Sequence, residues 1–215
     1  MTAFGVVVMA KSPIPGRVKT RLRPHFTDIE AAALAAAALT DSLAAASAVT
    51  GRVVVALDRC GTSETPQELA DVEVIEQSGT GLGERLDNAL ATVWERDAGP
   101  LLVIGMDTPQ ITAELLVGIV ELAVRDDDAA IGLATDGGFW ALAFGGSPKP
   151  VLGSVPMSQS DTGQRAVAAL RAAGLTVHIG EELEDVDDAD AAARVAAVAP
   201  LTRFARLHRE LTSNS

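Results

Sequence analysis

The stretch that decides the fold is Phe4-Gly5-Val6-Val7-Val8-Met9-Ala10, followed at once by Lys11-Ser12-Pro13-Ile14-Pro15-Gly16-Arg17-Val18-Lys19-Thr20-Arg21-Leu22-Arg23. Seven apolar residues, rich in valine, predict a strand buried on both faces. The next thirteen carry five cations and no acid. Open parallel sheets hold their ligands beyond the carboxyl ends of strands, which is where this loop sits. Arg offers a fork and Lys a point charge to a phosphate, while the prolines and Gly16 fix the path. A solvated basic turn that offsets surface acids is the plainer reading of the same residues. The loop is not a P-loop, because no G-x-x-x-x-G-K-[ST] is present. Nor is it the dinucleotide fingerprint, whose glycines open a helix directly after the strand.

Outward from this stretch the elements alternate. Asp28 is the expected N-cap of an Ala/Leu helix running to about Val49. Strands are predicted at 52–57 and 72–75, then a glycine loop at 79–83 and an amphipathic helix over 84–97. A strand at 100–105 leads into Met106-Asp107-Thr108-Pro109, and Thr112 caps a helix to Arg125. Strands at 129–134 and 139–144 flank Thr135-Asp136-Gly137-Gly138. A helix at 161–173, a strand at 176–179 and a helical region at 189–210, broken at Pro200, complete the chain. This spacing predicts an α/β fold: a mostly parallel sheet with helices on both faces, in one domain over 1–215.

Composition narrows the function classes. The chain has 215 residues, 48% apolar and 21% charged, which is not the composition of a disordered segment. Seventeen Lys and Arg against 29 Asp and Glu give −12, which argues against a general nucleic-acid binder. A single cysteine, Cys60, excludes an internal disulfide and a cysteine-based zinc cluster. No cation precedes the apolar run at 4–10, so it does not read as a signal peptide. The Ala-rich stretch at 31–49 is interrupted by Thr40, Asp41 and Ser42, so no integral membrane segment is expected. A cytoplasmic protein is the resulting expectation, and its oligomeric state is not legible. His25, His178 and His208 match no metal-binding spacing.

The carboxylates supply candidate chemistry. Asp107 ends an apolar strand, where a charge needs a partner. Mg²⁺ or Mn²⁺ shared with a diphosphate would be one such partner, and a turn or cap acid is the alternative. Asp136 opens an Asp-Gly-Gly that is either a hairpin turn or a place where backbone approaches a ligand. Seven acids crowd Glu181 to Asp190, a density more typical of a solvated face. Gly79, Gly81 and Gly83 precede a helix whose free N–H groups suit an anion. Arg85, one turn in, is placed to touch a phosphate or pair with Asp107.

Several of these stretches, in order, resemble one bacterial family of glycosyltransferases, the DUF2064 family, related to nucleotide-diphospho-sugar transferases of GT-A-like fold. The stretches are K-S-P-I-P-G-R-V-K-T-R-L (11–22), Gly81-Leu82-Gly83-Glu84-Arg85-Leu86, Ile104-Gly105-Met106-Asp107-Thr108-Pro109, Asp136-Gly137-Gly138-Phe139-Trp140 and Asp185-Val186-Asp187. The resemblance covers about 4–190 and extends distantly to molybdenum-cofactor and coenzyme F420 nucleotidyltransferases. It implies a nucleotide-binding half over 1–105 and an acceptor and metal half over 106–199, followed by a tail helix at 200–215, with donor phosphates at Lys11, Arg17, Lys19, Arg21, Gly83 and Arg85. It implies a Mg²⁺ or Mn²⁺ ion on Asp107 and Asp187, with Asp185 as the alternative to Asp187, and catalytic roles for Asp107 and Asp136. The full D-x-D is absent, since position 109 is proline, and Ala191 stands where the family tends to have another Asp. Sugar transfer from a nucleotide sugar to a small acceptor is the first expectation. Nucleotidyl transfer from a nucleoside triphosphate is the alternative, and a non-catalytic relative is the third.

Overall fold

The computed structural model describes residues 3–213. Valine-rich β1 (Gly5–Lys11) lies at the centre of a seven-stranded sheet, its first six residues buried. β2 (Val53–Asp58) and β3 (Glu73–Glu76) extend the sheet on one side. On the other side come β4 (Leu101–Gly105), β6 (Phe139–Phe144), β5 (Asp128–Leu133) and β7 (Thr176–Ile179), in that spatial order. All pairings are parallel except those of β6, which runs antiparallel to both β4 and β5. The mostly parallel sheet expected from the alternation is therefore observed, with one reversed strand made by the hairpin around Asp136.

Helices cover both faces because the central strands β1, β2, β4 and β6 are apolar on both. α1 (Asp28–Val49) and α3 (Ala113–Leu122) pack on Val6, Val8, Val55, Leu102 and Ile104. α2 (Leu82–Arg96) and α4 (Thr162–Ala172) pack on Val7, Met9, Val54, Val103 and Ile131. Phe139 and Trp140 alternate as a strand requires, Trp140 entering the first core and Phe139 packing on the second. A third layer lies outside α1: α5 (Ala189–Val198) and α6 (Arg203–Ser213) enclose a smaller core of Leu22, Phe26, Leu34, Val186, Val195 and Phe204. The break expected at Pro200 separates these two helices. Residues 214 and 215 of the expected tail lie outside the described residues.

Two helix starts differ from expectation. Thr27, not Asp28, caps α1, accepting from the Glu30 N–H while Glu30 accepts from the Thr27 N–H, a reciprocal capping box. The signal was the Thr-x-x-Glu spacing, which outranks an isolated Asp. α4 begins at Thr162 with no side-chain cap, and Asp161 pairs instead with Arg165 at 2.7 Å. By length and composition α1 is apolar enough to cross a membrane, yet it is packed between the sheet and α6. The Asp41 that interrupts it is buried and accepts from the Arg203 and Phe204 N–H groups at 3.0 and 2.9 Å, capping α6.

Candidate active site

β1 and β4 are neighbours, and the chain leaves their carboxyl ends in opposite directions. That divergence opens a crevice at the rim, as in other open α/β sheets. The loop after β1, the turn after β4, the β5–β6 hairpin and the segment after β7 all converge there. The strip 184–187 has no ladder beyond the isolated bridge of Ala134 with Leu183. It is pinned by the Val186 N–H to the Asp107 carbonyl at 2.9 Å, by the Gln110 side chain to the Glu184 carbonyl, and by the Lys19 ammonium to the Val186 carbonyl. Val186 itself is buried in the third-layer core, which turns Asp185 and Asp187 outward to the rim.

Asp136, Asp185 and Asp187 present carboxylate oxygens within 4.8 Å of one another. Like charges this close are unfavourable without a cation. Burial, reinforced by Asp187 and Asp136 and opposed by Lys19, pushes the Asp185 carboxyl up to about 6. Three hard oxygen donors fit Mg²⁺ or Mn²⁺ better than a soft metal. Asp107 stands beside this group through its main chain, and its carboxylate is paired with Lys19 at 2.8 Å. Asp187 is paired with Arg21 at 3.0 Å. Asp136 accepts from the Gly138 N–H at 2.7 Å, the self-closing turn that Asp-Gly-Gly suggests. Gly137, at φ +90°, has no room for a Cβ because the Ser160 carbonyl lies against it.

The loop divides its cations. Lys19 and Arg21 face the acids, whereas Lys11 and Arg17 lie on the β2 side, close enough to act on the Cys60 thiol. Among the described residues Lys11 and Arg17 form no ion pair. Arg85 does not pair with Asp107. It binds Asp58 at 2.7 Å, from the first turns of α2, where its guanidinium also meets Gln77 and the Gly79 carbonyl of the segment after β3. The Cys60 N–H holds the Asp58 carboxyl below its ordinary pKa; burial opposes this, and Arg85 and Lys11 add to it. Asp58 was missed in the sequence although it carries the same signal as Asp107, a carboxylate ending an apolar strand. Gly83 is buried with the Leu152 carbonyl against its α-carbon, so packing alone demands glycine there. The Glu84 carboxylate accepts from the Thr80 N–H and hydroxyl, both at 2.8 Å, and so occupies part of the helix start expected to receive an anion. The buried hydroxyls of Ser12 and Thr108, flanking the crevice, have no protein partner.

A family model described as an uncharacterized protein conserved in bacteria, DUF2064, matches residues 35–159. The chain belongs to the DUF2064 family. Across 99% of its length this DUF2064 chain is 25% identical to a Desulfovibrio desulfuricans G20 protein provisionally named a nucleotide-diphospho-sugar transferase. The match covers 96% of that protein, with a TM-score of 0.88. A nucleotidyl transfer protein from Methanothermobacter thermautotroptrophicus is 18% identical over 95% of this chain and 98% of its own, with a TM-score of 0.57. A Leptospira borgpetersenii cytidylyltransferase is 14% identical over 100% of this chain and 95% of its own, with a TM-score of 0.55. These last two show the shared fold. No curated protein matches the chain. The DUF2064 chain thus has the fold of a superfamily that contains nucleotidyltransferases and glycosyltransferases, with its crevice at the rim where the acids and cations meet.

Proposed function

We propose that the DUF2064 chain is a divalent-metal-dependent nucleotidyltransferase, joining the nucleotide of a nucleoside triphosphate to a small phosphorylated acceptor with release of pyrophosphate. The observation that carries this reading is the juxtaposition of the Asp136–Asp185–Asp187 group with Lys11, Arg17, Lys19 and Arg21, four of the five cations of the basic loop, on one rim. A triphosphate brings about four negative charges near neutral pH, which suits four cations and a metal better than the two charges of a nucleotide sugar. The shared fold of the nucleotidyl-transfer proteins agrees, as analogy. This reverses the order expected from the sequence, where sugar transfer came first. Sugar transfer remains the second reading because the relative that matches over the whole chain bears a sugar-transferase name.

In this reading Asp136, Asp185 and Asp187 hold Mg²⁺ or Mn²⁺, with Asp107 alongside. The metal, when bound, neutralises charge on the phosphoryl oxygens. Lys11 and Arg17 receive phosphates on the β2 side, with Asp58 and Arg85 forming the adjoining wall. Lys19 and Arg21 approach from the acidic side, and the cations together stabilise the charge that grows on the leaving pyrophosphate. Residues 1–105 then handle the nucleotide, and 106–199 the acceptor and metal.

Thermal denaturation with Mg²⁺ or Mn²⁺ against panels of nucleoside triphosphates and nucleotide sugars tests this, since a ligand of the native state raises Tm. Triphosphate-selective, metal-dependent stabilisation that disappears in Asp187→Ala is the expected result. Selective stabilisation by nucleotide sugars would replace the reading with sugar transfer. No response to any nucleotide would overturn both.

A further inference from the structure

We infer that Lys19 and Arg21 are held in reserve by the site's own acids, and reach the phosphates only once a divalent cation binds the acidic group beside them. The inference rests on the metal and phosphate reading given above and adds an order of binding to it.

Lys19 occupies a left-handed backbone conformation, φ 49° and ψ 35°, at the entry to the short turn Thr20–Leu22. Its ammonium sits between the Asp107 carboxylate and the Val186 carbonyl, and the side chain is only 9% exposed. A lysine enclosed in this way is committed to the protein rather than to a ligand. Arg21 repeats the arrangement two residues on, against Asp187, in a more open setting. The two acids so engaged bracket Val186, whose N–H is bound to the Asp107 carbonyl. The two ion pairs are therefore two spans of one bridge between the basic loop and the acidic strip. By contrast, Lys11 and Arg17 form no ion pair among the described residues, Lys11 acting on Asp58 only at longer range, and Asp136, in the same acidic group, is paired with neither loop cation.

Divalent charge on Asp136, Asp185 and Asp187 weakens both pairs. It competes directly for Asp187, the partner of Arg21, and its charge repels the Lys19 ammonium held beside the group by Asp107. The nearest anion left to Lys19 and Arg21 is then the polyphosphate. Metal and phosphate consequently bind with positive coupling larger than their direct contact supplies. Without metal the site keeps two of its four cations occupied, and so discriminates against free phosphates.

Calorimetric binding of inorganic pyrophosphate, in chelator and then in Mn²⁺, tests this on the full chain. In chelator, Asp107→Asn should raise pyrophosphate affinity roughly tenfold, because it loosens the enclosed pair. Asp187→Asn should raise it roughly two- to threefold, because that pair is exposed and its release poses little risk to folding. Asp136→Asn removes the same charge without freeing a cation, and its smaller effect measures the general charge contribution. In a Lys19→Met background the gain from Asp107→Asn should shrink to that of Asp136→Asn. Equal gains in Asp107→Asn, Asp187→Asn and Asp136→Asn, or a gain that persists in the Lys19→Met background, would overturn the reserve while leaving the phosphate site intact. Failure of the wild-type chain to bind pyrophosphate even with Mn²⁺ would instead overturn the site reading, and the inference with it.

Discussion

Asp41 and Asp185 are both largely withdrawn from water, and their surroundings could hardly differ more. Asp41 points into the joint between α1 and α6, where two backbone N–H groups and Arg203 meet it. Asp185 points to the rim, where Asp136 and Asp187 face it and burial adds to the cost. One acid stabilises the fold; the other is kept at the fold's expense. A structural acid is recognised by donors arranged around it. A binding acid is recognised by like charges that need something from outside.

The comparison can be broken in three ways. Asp41→Ala should have the largest effect, about 2–3 kcal/mol of lost stability, since it removes a cap and leaves buried N–H groups unpaired. That corresponds to a fall in Tm of about 5–10 °C for a chain of this size. An unchanged Tm would place Asp41 in the same class as Asp185. Asp185→Asn should act in the opposite direction, raising the Tm of the metal-free protein by about 2–4 °C and abolishing stabilisation by Mn²⁺. The pH dependence sharpens this. Folded Asp185 keeps its proton up to about 6, against 3.8 for the ordinary group. Between those values the folded chain holds more protons than the unfolded one, so wild-type stability falls as pH rises through this window. Asp185→Asn should remove that slope in urea titrations at a series of pH values. The smallest effect belongs to His208, buried beside Phe26 and Phe204 in the same joint as Asp41. Burial lowers its pKa, so here the unfolded chain holds more protons, and stability should be lost as pH falls below the ordinary histidine range. His208→Gln should flatten that decline, and an unaltered profile would show that the joint is indifferent to the charge.

The fold was legible because its signals are local and repeated. Valine runs at 4–10 and 52–57 mark buried strands, and the Thr112 cap and the Pro200 break fall where sequence places them. The reversed β6 was visible only as a turn, since Asp-Gly-Gly does not say which strands its hairpin will join. At the site, the basic loop, Asp107, Asp136 and Asp187 were read from position and resemblance. Their partners were not. Lys19 meets an acid 88 positions away, Asp107, and Arg21 meets one 166 positions away, Asp187, and no local pattern encodes that. Of the two expectations for Arg85, a phosphate or Asp107, the pairing with Asp107 is replaced by one with Asp58, an acid 27 positions away that no local pattern singles out. The aim of Asp185 and Asp187 at the rim depends on Val186 being drawn into a core built from α1, α5 and α6, which no local pattern shows.

That last core has a mechanical consequence. Leu22 and Phe26 anchor the basic loop in it, and Val186 anchors the acidic strip in it. Side chains packed this closely move together rather than independently. The opposite charges of the rim are thus mounted on a common chassis outside the sheet, and breathing of the strands carries them as a unit. Their spacing is insulated from the scaffold that displays them.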